Sequence, residues 1–353
     1  MVENMTPAWD GFRGEDGPMW QPERLLEELC AVDSTTGGEA ALLPVLLPAL
    51  EAMGASVEVS HFTRGRCNVL ATWGEPRLLF STHLDTVPPY ISPRWEGETL
   101  FGRGTCDAKG QIVAQLMAAA HFRDQGVAWM GVAGEETDSL GAQEAFAWKD
   151  RFTRCLALIN GEPTELKVAT GQRGVKNLRL TCHGKPAHGG SPELGHSAIL
   201  DLLDWLEAIR RIPLGHDPDL GPEVWNLGTL LGGEAVNIVP ARAQAQINLR
   251  TVPGSTFHEA VVACRPPAGE IDLEVDEPPC LFPAIEGFHR AFMPFGSDAP
   301  CLMGLIPGEV AVLAGPGSIK VAHTDDEHLT LHDLRAGAQL NARLARHFLK
   351  ELP

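Results

Sequence analysis

The sequence is poor in aromatic residues and lacks the patterns of several common protein classes. Aromatic residues make up 6% of its 353 residues, and only one is tyrosine. No run of about 18 consecutive apolar residues occurs, so no membrane-spanning helix is predicted. The N-terminus has neither the basic start nor the apolar stretch of a signal peptide. Its eight cysteines show no Cys-x-x-Cys pair and no disulfide-like spacing, which indicates reduced thiols in a cytoplasmic protein.

Basic charge is scarce as well. The chain has 28 Lys and Arg against 46 Asp and Glu, a formal net charge of −18. This balance argues against nucleic acid or an anionic membrane as a partner. A Gly-x-Ser-x-Gly elbow and a Gly-rich dinucleotide or P-loop fingerprint are also missing, so neither a serine hydrolase nor a nucleotide-binding enzyme is predicted. The expected partner is a small-molecule substrate.

Short apolar runs alternate with helical segments in the first half of the chain. Residues 78–80, 128–133 and 155–159 are apolar, short and bounded by Gly or Pro, as in buried strands. Residues 111–122 have the composition of a helix. An earlier helix, 40–53, contains two prolines and is expected to be broken. This alternation predicts an α/β domain with a largely parallel sheet.

The pattern changes near residue 173. Residues 176–181 and 243–251 alternate between polar and apolar, as in half-exposed strands, and 197–210 has amphipathic helical spacing. These features predict a smaller α+β insertion, after which sheet and helix resume. The predicted organisation is an N-terminal extension at 1–18, a discontinuous catalytic domain at 19–172 and 283–353, and an inserted domain at 173–282.

Five side chains suited to binding metal are spread along the catalytic domain, namely His83, Asp107, Glu136, Glu162 and His323. Three of them, His83, Glu136 and Glu162, follow predicted strands, and sites in parallel sheets lie beyond the carboxyl ends of strands. Asp107 can bridge two zinc ions, with His83 and Glu162 completing one and Glu136 and His323 the other. Each motif by itself is more often a surface pair, a solvated face or a turn. Their order and placement together predict a centre of two Zn²⁺, with Co²⁺ as a possible substitute.

These motifs, taken together, resemble those of the M20 family of metallopeptidases, near the group of acetylornithine deacetylase and succinyl-diaminopimelate desuccinylase. The resemblance runs from about Pro22 onward. It rests on ThrHisLeuAspThrValPro, GlyArgGlyThrCysAspAlaLysGly, GlyGluGluThrAspSerLeuGlyAla, GlyGluProThr, GlyLysProAlaHisGlyGlySerProGluLeuGly and GlyProGlySerIleLysValAlaHisThrAspAspGlu. It implies an α/β fold with a di-zinc aminopeptidase-like catalytic domain, a mostly parallel central sheet and an inserted α+β dimerisation (lid) domain.

The resemblance also implies roles for groups beside the metals. Glu135 would be the general base that takes a proton from the attacking water and returns it to the leaving amine. Asp85 would orient the imidazole of His83. His188 would reach into the active site of a partner subunit and help hold the oxyanion, so a homodimer through residues 173–282 is expected. A cis peptide bond after Asp107 is expected too.

Substrate contacts are expected from both domains. Arg250 is suited to gripping a substrate carboxylate with two parallel hydrogen bonds, and Asn237 also matches a family position. Ser297, Asp298 and Gly315 are predicted to line the substrate pocket. The segment between Arg250 and Ser297 is short for the family, which weakens the substrate analogy.

The predicted activity is hydrolysis of the amide bond of an N-acyl amino acid by a water activated between the two metals. N-acetylornithine is the leading substrate, because the segment 315–327 most resembles the deacetylase branch. N-acetyl-lysine, N-acetylcitrulline and a carrier-linked amino acid are close alternatives. Succinyl-diaminopimelate desuccinylase and an M20 carboxypeptidase or dipeptidase share the same chemistry. An inactive metal-binding homologue is a remote alternative, since Glu135, Asp85 and His188 are all present.

Overall fold

The computed structural model describes residues 21–350, together with the backbone of residues 13–14 and 17–18. The predicted extension at 1–18 lies outside the described residues apart from those two dipeptides. Within the described part of the chain, no helix has both the length and the apolar character that crossing a bilayer requires.

The helices of the described residues are distributed over the whole chain. The α-helices are α1 (Pro22–Cys30), α2 (Leu43–Ala52), α3 (Lys109–Phe122), α4 (Leu140–Glu144), α5 (Ala198–Ile209), α6 (Phe257–Ala263), α7 (Ala299–Leu302) and α8 (Leu331–Lys350). The 3₁₀ segments are Glu39–Leu42, Arg123–Gln125, Ala145–Phe152, Pro192–Leu194 and Met303–Leu305.

Strands occur throughout the described part of the chain. Those of three residues or more are β1 (Ser56–Thr63), β2 (Arg66–Trp73), β3 (Leu78–His83), β4 (Arg94–Glu96), β5 (Thr99–Phe101), β6 (Val127–Val132), β7 (Leu158–Asn160), β8 (Gly174–His183), β9 (Val224–Gly232), β10 (Arg242–Thr251), β11 (Gly269–Glu277), β12 (Ala311–Leu313) and β13 (His328–Thr330). Two-residue strands lie at Arg13–Gly14, Gly17–Pro18, Val168–Ala169, Gly171–Gln172, His216–Asp217, Gly221–Pro222, Cys280–Leu281 and Arg290–Ala291.

The chain divides into two compact units, and the first comprises residues 1–169, 282–290 and 297–353. Its six-stranded sheet has the order β12-β7-β3-β6-β2-β1. The pairs from β12 to β6 are parallel, whereas β6–β2 and β2–β1 are antiparallel. The sheet is therefore mixed, with its parallel half at the strands that lead to the predicted metal ligands.

Burial explains why the parallel strands read as continuous apolar runs. Every residue of β3 and β6 is buried, and α3 is buried along almost its whole length. Small Ala side chains let α3 pack closely against its neighbours, while α8 buries one stripe that includes Leu334, Leu344 and Phe348. Strands buried on both faces need no polar alternation.

The second unit comprises residues 170–281 and 291–296. Its four-stranded antiparallel sheet has the order β9-β10-β8-β11. In β10, buried residues alternate regularly with more exposed ones, and α5 packs a buried face that includes Trp205 against this sheet. The segment after Arg250 contains α6 and β11.

The structure changes the bounds of some predicted elements. The helix expected at 40–53 is divided into the 3₁₀ segment Glu39–Leu42 and α2, as its prolines led us to expect. The strand expected at 155–159 forms later, as Leu158–Asn160. Its ladder with β3 starts only at Leu158, so the residues just before it connect the strand rather than belong to it.

Candidate metal centre

The sheet brings three of the five predicted ligands to one edge. His83 is the last residue of β3, Glu136 follows the end of β6, and Glu162 follows the end of β7. These strands are parallel neighbours in the order β7-β3-β6, so their carboxyl ends meet. Asp107 comes from the loop before α3, and His323 from the loop between β12 and β13.

The carboxylate of Asp107 lies between two histidines. Its Oδ1 is 2.9 Å from His83 Nε2, and its Oδ2 is 3.3 Å from His323 Nε2. His323 Nε2 is also 2.9 Å from Oε1 of Glu136. The two oxygens of one carboxylate thus face two different imidazoles, an arrangement compatible with a carboxylate shared by two metal ions. The peptide bond after Asp107 is cis, as expected.

Most of the cluster is withdrawn from solvent. His83, Asp107 and Glu162 are buried, Glu136 is partly buried, and the side chain of His323 is half exposed. The backbone of His323 has a φ of 63°, in the left-handed region that few non-glycine residues adopt. The loop backbone at His323 is therefore held in an uncommon conformation while its ring contacts Asp107 and Glu136.

Burial and neighbouring charges shift the pKa values of these groups, upward for Glu162 and His323 and downward for Asp107. Burial raises the pKa of Glu162 well above its ordinary value, and the nearby Glu135 adds to this. Hydrogen bonds to Asp107 and Glu136 raise the pKa of His323 to about 10. Burial opposes ionisation of Asp107, yet the two histidines hold the pKa of its carboxyl below the usual range.

The donor set fits divalent metal ions. One ligand atom each from His83, Asp107 and Glu136 lie within 4.8 Å of one another. Imidazole nitrogen and carboxylate oxygen are ligands that zinc prefers. The carboxylates of Asp107 and Glu136 are paired with histidines, and buried carboxylates crowded together are unfavourable unless cations compensate them. Bound cations would supply that compensation.

Asp85 holds the loop that carries Glu135 and Glu136. Its Oδ1 accepts the backbone N–H groups of Gly134 and Glu135 at 3.0 and 3.2 Å, and its Oδ2 accepts that of Glu136 at 3.2 Å. Nδ1 of His83 is nearest the main-chain oxygen of Asp85, at 2.9 Å, while the carboxylate lies 3.4 Å away. Asp85 therefore acts on the loop at least as directly as on the imidazole predicted to be its partner.

Glu135 is partly buried beside the ligands. Burial raises the pKa of its carboxyl well above the ordinary value, and the charges of Asp298, Glu136 and Asp107 raise it further, against the effect of His83. A carboxyl group with a raised pKa next to a metal centre is suited to accept and return a proton near neutral pH.

Sequence reasoning missed two further supports of this loop. Thr36 donates its hydroxyl hydrogen to Oδ2 of Asp85 at 2.8 Å. Arg66, on β2, donates to both carboxylate oxygens of Asp138 at 2.8 and 2.9 Å. Its guanidinium also passes so close to Gly134 that a Cβ there would lie 1.7 Å from Nη2. The only signal for Arg66 was a basic residue at the start of a buried strand.

The other predicted residues of the catalytic domain lie in the first unit. Asp298 is buried directly before α7, where Ser297 accepts a hydrogen bond from the N–H of Ala299 at 3.3 Å. Gly315 donates its N–H to Oγ1 of Thr164 at 2.9 Å. A Cβ at Gly315 would lie 2.6 Å from the carbonyl oxygen of Glu162, so this glycine packs against a ligand-bearing segment.

His188, Asn237 and Arg250 lie in the second unit. The N–H of Gly189 donates to the carbonyl oxygen of Asn237 at 2.7 Å, so the segments of His188 and Asn237 run side by side. Both residues are exposed. Arg250 is half-buried on β10 and is placed in the ladder opposite Val175 of β8.

The sequence is similar to those of known peptidases. The sequence model described as peptidase family M20/M25/M40 matches residues 79–347. A probable carboxypeptidase of Aspergillus clavatus is 32% identical over 353 residues, which cover 88% of this chain and 85% of that protein.

Solved structures show the same fold. Aminopeptidase PepT of Bacillus cereus superposes with a TM-score of 0.76 at 22% identity, over 94% of this chain and 99% of that chain. The YXEP protein of Bacillus subtilis, described as a dinuclear metal binding peptidase of the M20 family, gives a TM-score of 0.67 at 14% identity. That match covers 94% of this chain and 98% of the other.

Proposed function

The chain is a member of peptidase family M20/M25/M40 and a metallohydrolase of amide bonds, and we propose that it is a carboxypeptidase that releases the C-terminal residue of short peptides. The observation that supports amide hydrolysis is Asp107, whose two carboxylate oxygens face His83 and His323 beside Glu135. The Aspergillus clavatus relative, named a probable carboxypeptidase, supports the direction of cleavage.

The five predicted ligands would hold two divalent ions, which we propose are Zn²⁺, with Co²⁺ able to substitute. Bound there, the ions would supply Lewis acidity to the scissile carbonyl and lower the pKa of water. Glu135 takes the proton of the attacking water and delivers it to the leaving amine nitrogen as the C–N bond breaks. Asp85 keeps Glu135 in place through its hydrogen bonds to the loop backbone.

We propose that Arg250 binds the C-terminal carboxylate of the substrate. A planar guanidinium can donate two parallel hydrogen bonds to a carboxylate but not to an amide. Replacing Arg250 by Ala should raise KM for peptides with a free carboxylate much more than for their C-terminal amides. Equal effects on both substrates would remove this role.

A second candidate is deacylation of an N-acyl amino acid, with N-acetylornithine as the leading substrate. Its specific support is the segment 315–327, which resembles the deacetylase branch. The same groups would cleave both kinds of amide, and each of the two reactions would release a free amino acid. The two functions differ only in the group on the acyl side of the bond.

The deciding experiment measures release of free amino acid by Zn²⁺-loaded protein. The substrates are dipeptides and tripeptides with free or blocked termini, N-acetylornithine, N-acetyl-lysine, N-acetylcitrulline and succinyl-diaminopimelate. Carboxypeptidase activity predicts turnover that requires a free C-terminus and persists when the N-terminus is blocked, and that is abolished by a chelator and restored by Zn²⁺. Faster turnover of N-acetylornithine would favour the second candidate. Absence of chelator-sensitive turnover for every substrate would refute both.

We also propose that the protein is a homodimer through the second unit. β9 lies at one end of its sheet, and Leu227, Leu230 and Leu231 on this strand are exposed. Leu200 and Leu203 of α5 are exposed as well. Exposed apolar side chains on an edge strand are typical of an interface. His188 would then serve the partner's site, and a monomer of full activity in light scattering and kinetic assays would contradict this arrangement.

A further inference from the structure

A second carboxylate, Glu327, is buried beneath the loop of Asp107. Its Oε1 accepts three backbone N–H groups, those of Gly104, Cys106 and Asp107, at 2.9, 3.1 and 3.1 Å. Its Oε2 accepts a hydrogen bond from Nη1 of Arg103 at 2.7 Å. The Glu327 side chain is fully buried and that of Arg103 is 2% exposed. Both oxygens are thus occupied by donors from one loop, so Glu327 is placed to hold this loop rather than to bind metal.

The three N–H groups determine the path of the chain into Asp107. They come from a segment of only four residues and converge on one oxygen, so the backbone cannot shift without losing several hydrogen bonds at once. Hydrogen bonds to a charged acceptor are stronger than those between neutral groups. Because the Asp107 carboxylate faces His83 on one side and His323 on the other, a shift of its backbone would disturb both contacts.

The same pair also ties the Asp107 loop to the His323 loop. Glu327 lies four residues after His323, and its main-chain oxygen accepts the N–H of Gly102 at 2.9 Å. Nη1 of Arg103 donates to the carbonyl oxygen of Thr324 at 3.2 Å. One buried ion pair therefore connects, through hydrogen bonds, the two loops that carry Asp107 and His323.

A buried ion pair is weak evidence for a role in stability. Desolvation of the two charges can offset their attraction, and well-packed apolar residues would often serve stability equally well. The arrangement of donors around Glu327 is instead directed at the backbone of a ligand loop. Groups that orient metal ligands in this way typically change metal affinity 10- to 100-fold when they are replaced.

We propose that Glu327, together with Arg103, is a positioning residue that sets the spacing of Asp107 and His323 and thereby the affinity for the metal ion these two ligands share. This inference rests on the proposed two-metal function. The substitution Glu327→Gln keeps the shape of the side chain but adds an amide NH₂ group. That group must face either the three N–H donors or the guanidinium of Arg103, so a donor opposes a donor in either orientation.

The test is titration of metal-free protein with Zn²⁺ against a competing chelator, with metal content measured in parallel. The parent should bind two ions, and Glu327→Gln should bind one of the two about 10- to 100-fold less tightly. The matched control is Glu223→Gln in the second unit. Glu223 is also buried and accepts the N–H of Gly215 at 2.7 Å and that of Val252 at 3.4 Å. This variant should lose thermal stability but keep the Zn²⁺ affinity of the parent.

The outcomes separate this inference from the proposed function. A parent that binds fewer than two ions would refute the two-metal function itself. A parent that binds two ions and a folded Glu327→Gln variant with affinities within twofold of it would overturn only the role of Glu327. If Glu327→Gln does not fold, Arg103→Lys decides, because lysine keeps the charge but cannot contact Glu327, Pro89 and Thr324 together. For Arg103→Lys, a loss of Zn²⁺ affinity smaller than the one expected for Glu327→Gln supports the proposal, and an affinity equal to that of the parent overturns it.

Discussion

Asp85 offers the sharpest test of how the loop of Glu135 and Glu136 is held. Its side chain is fully buried and accepts hydrogen bonds from the N–H groups of Gly134, Glu135 and Glu136 and from the hydroxyl of Thr36. We predict that Asp85→Asn retains the fold but displaces this loop. The substitution preserves size, so its effects arise from charge and hydrogen bonding alone.

The expected size of the effect follows from the four bonds. When the new NH₂ group replaces Oδ2, the hydroxyl of Thr36 can turn to accept from it, but the N–H of Glu136 is left facing a donor. An unsatisfied buried N–H costs about 1–3 kcal/mol, and each of the two bonds to Oδ1 weakens by about 1 kcal/mol on loss of the charge. The total is on the order of 3–5 kcal/mol, divided between stability and catalysis.

The assay combines kcat/KM on the best substrate, bound metal by elemental analysis and the free energy of unfolding in urea. Loss of an outer support of a metal site predicts a fall in kcat/KM of about 10- to 100-fold. The matched control is Glu58→Gln on β1, whose carboxylate pairs with Arg151 at the surface and should change stability by less than about 1 kcal/mol. A variant Asp85→Asn with parental kcat/KM and parental stability would refute the reasoning.

Three further predictions concern separate groups. Glu135→Gln should retain bound metal while kcat falls by about 100-fold or more, and a variant that keeps most of the turnover would remove its role as general base. Arg66→Ala and Asp138→Ala should each increase the rate of amide hydrogen exchange in the 134–139 loop. Because the ion pair is partly exposed, the coupling free energy of the two residues in a double-mutant cycle should be about 1 kcal/mol. Additive effects of the two substitutions on the free energy of unfolding would show that the pair does not act together. Lys320 makes the largest contribution among the partners that lower the pKa of Glu165 from 4.5 to about 2. The stabilisation that this shift provides is therefore present above pH 4.5 and is lost as the pH falls toward 2. In Lys320→Met the pKa of Glu165 should rise, and an unchanged pKa in an NMR titration would contradict this.

The metal ligands could be proposed from sequence because their spacing is tied to strand ends. A buried parallel strand is a recognisable apolar run, and the polar residue that follows it is placed at the sheet edge by the strand itself. His83, Glu136 and Glu162 were proposed as ligands in this way, and the structure places all three at or after the ends of adjacent parallel strands. The mixed character of the sheet was not foreseen, because antiparallel β1 and β2 give no apolar pattern that distinguishes their direction.

Substrate preference was the least predictable property. The motifs of the sequence favoured N-acetylornithine as the substrate, whereas the Aspergillus clavatus relative is named a probable carboxypeptidase. The chemistry of amide hydrolysis depends on a few polar residues with strict geometry, and these are visible as motifs. Choice of acyl group depends on the shape of a pocket, to which many unremarkable side chains contribute.

The α/β class and a division into two parts could be predicted from the sequence, and so could a set of candidate metal ligands, because periodicity and residue chemistry are local properties. Only the tertiary structure showed that Asp107 faces two histidines, that Asp85 holds the Glu135 loop through its backbone, and that Glu327 lies beneath the Asp107 loop. The reason is physical. These contacts join residues from 24 to 220 positions apart in the chain, and no local pattern specifies which buried carboxylate will meet which backbone N–H.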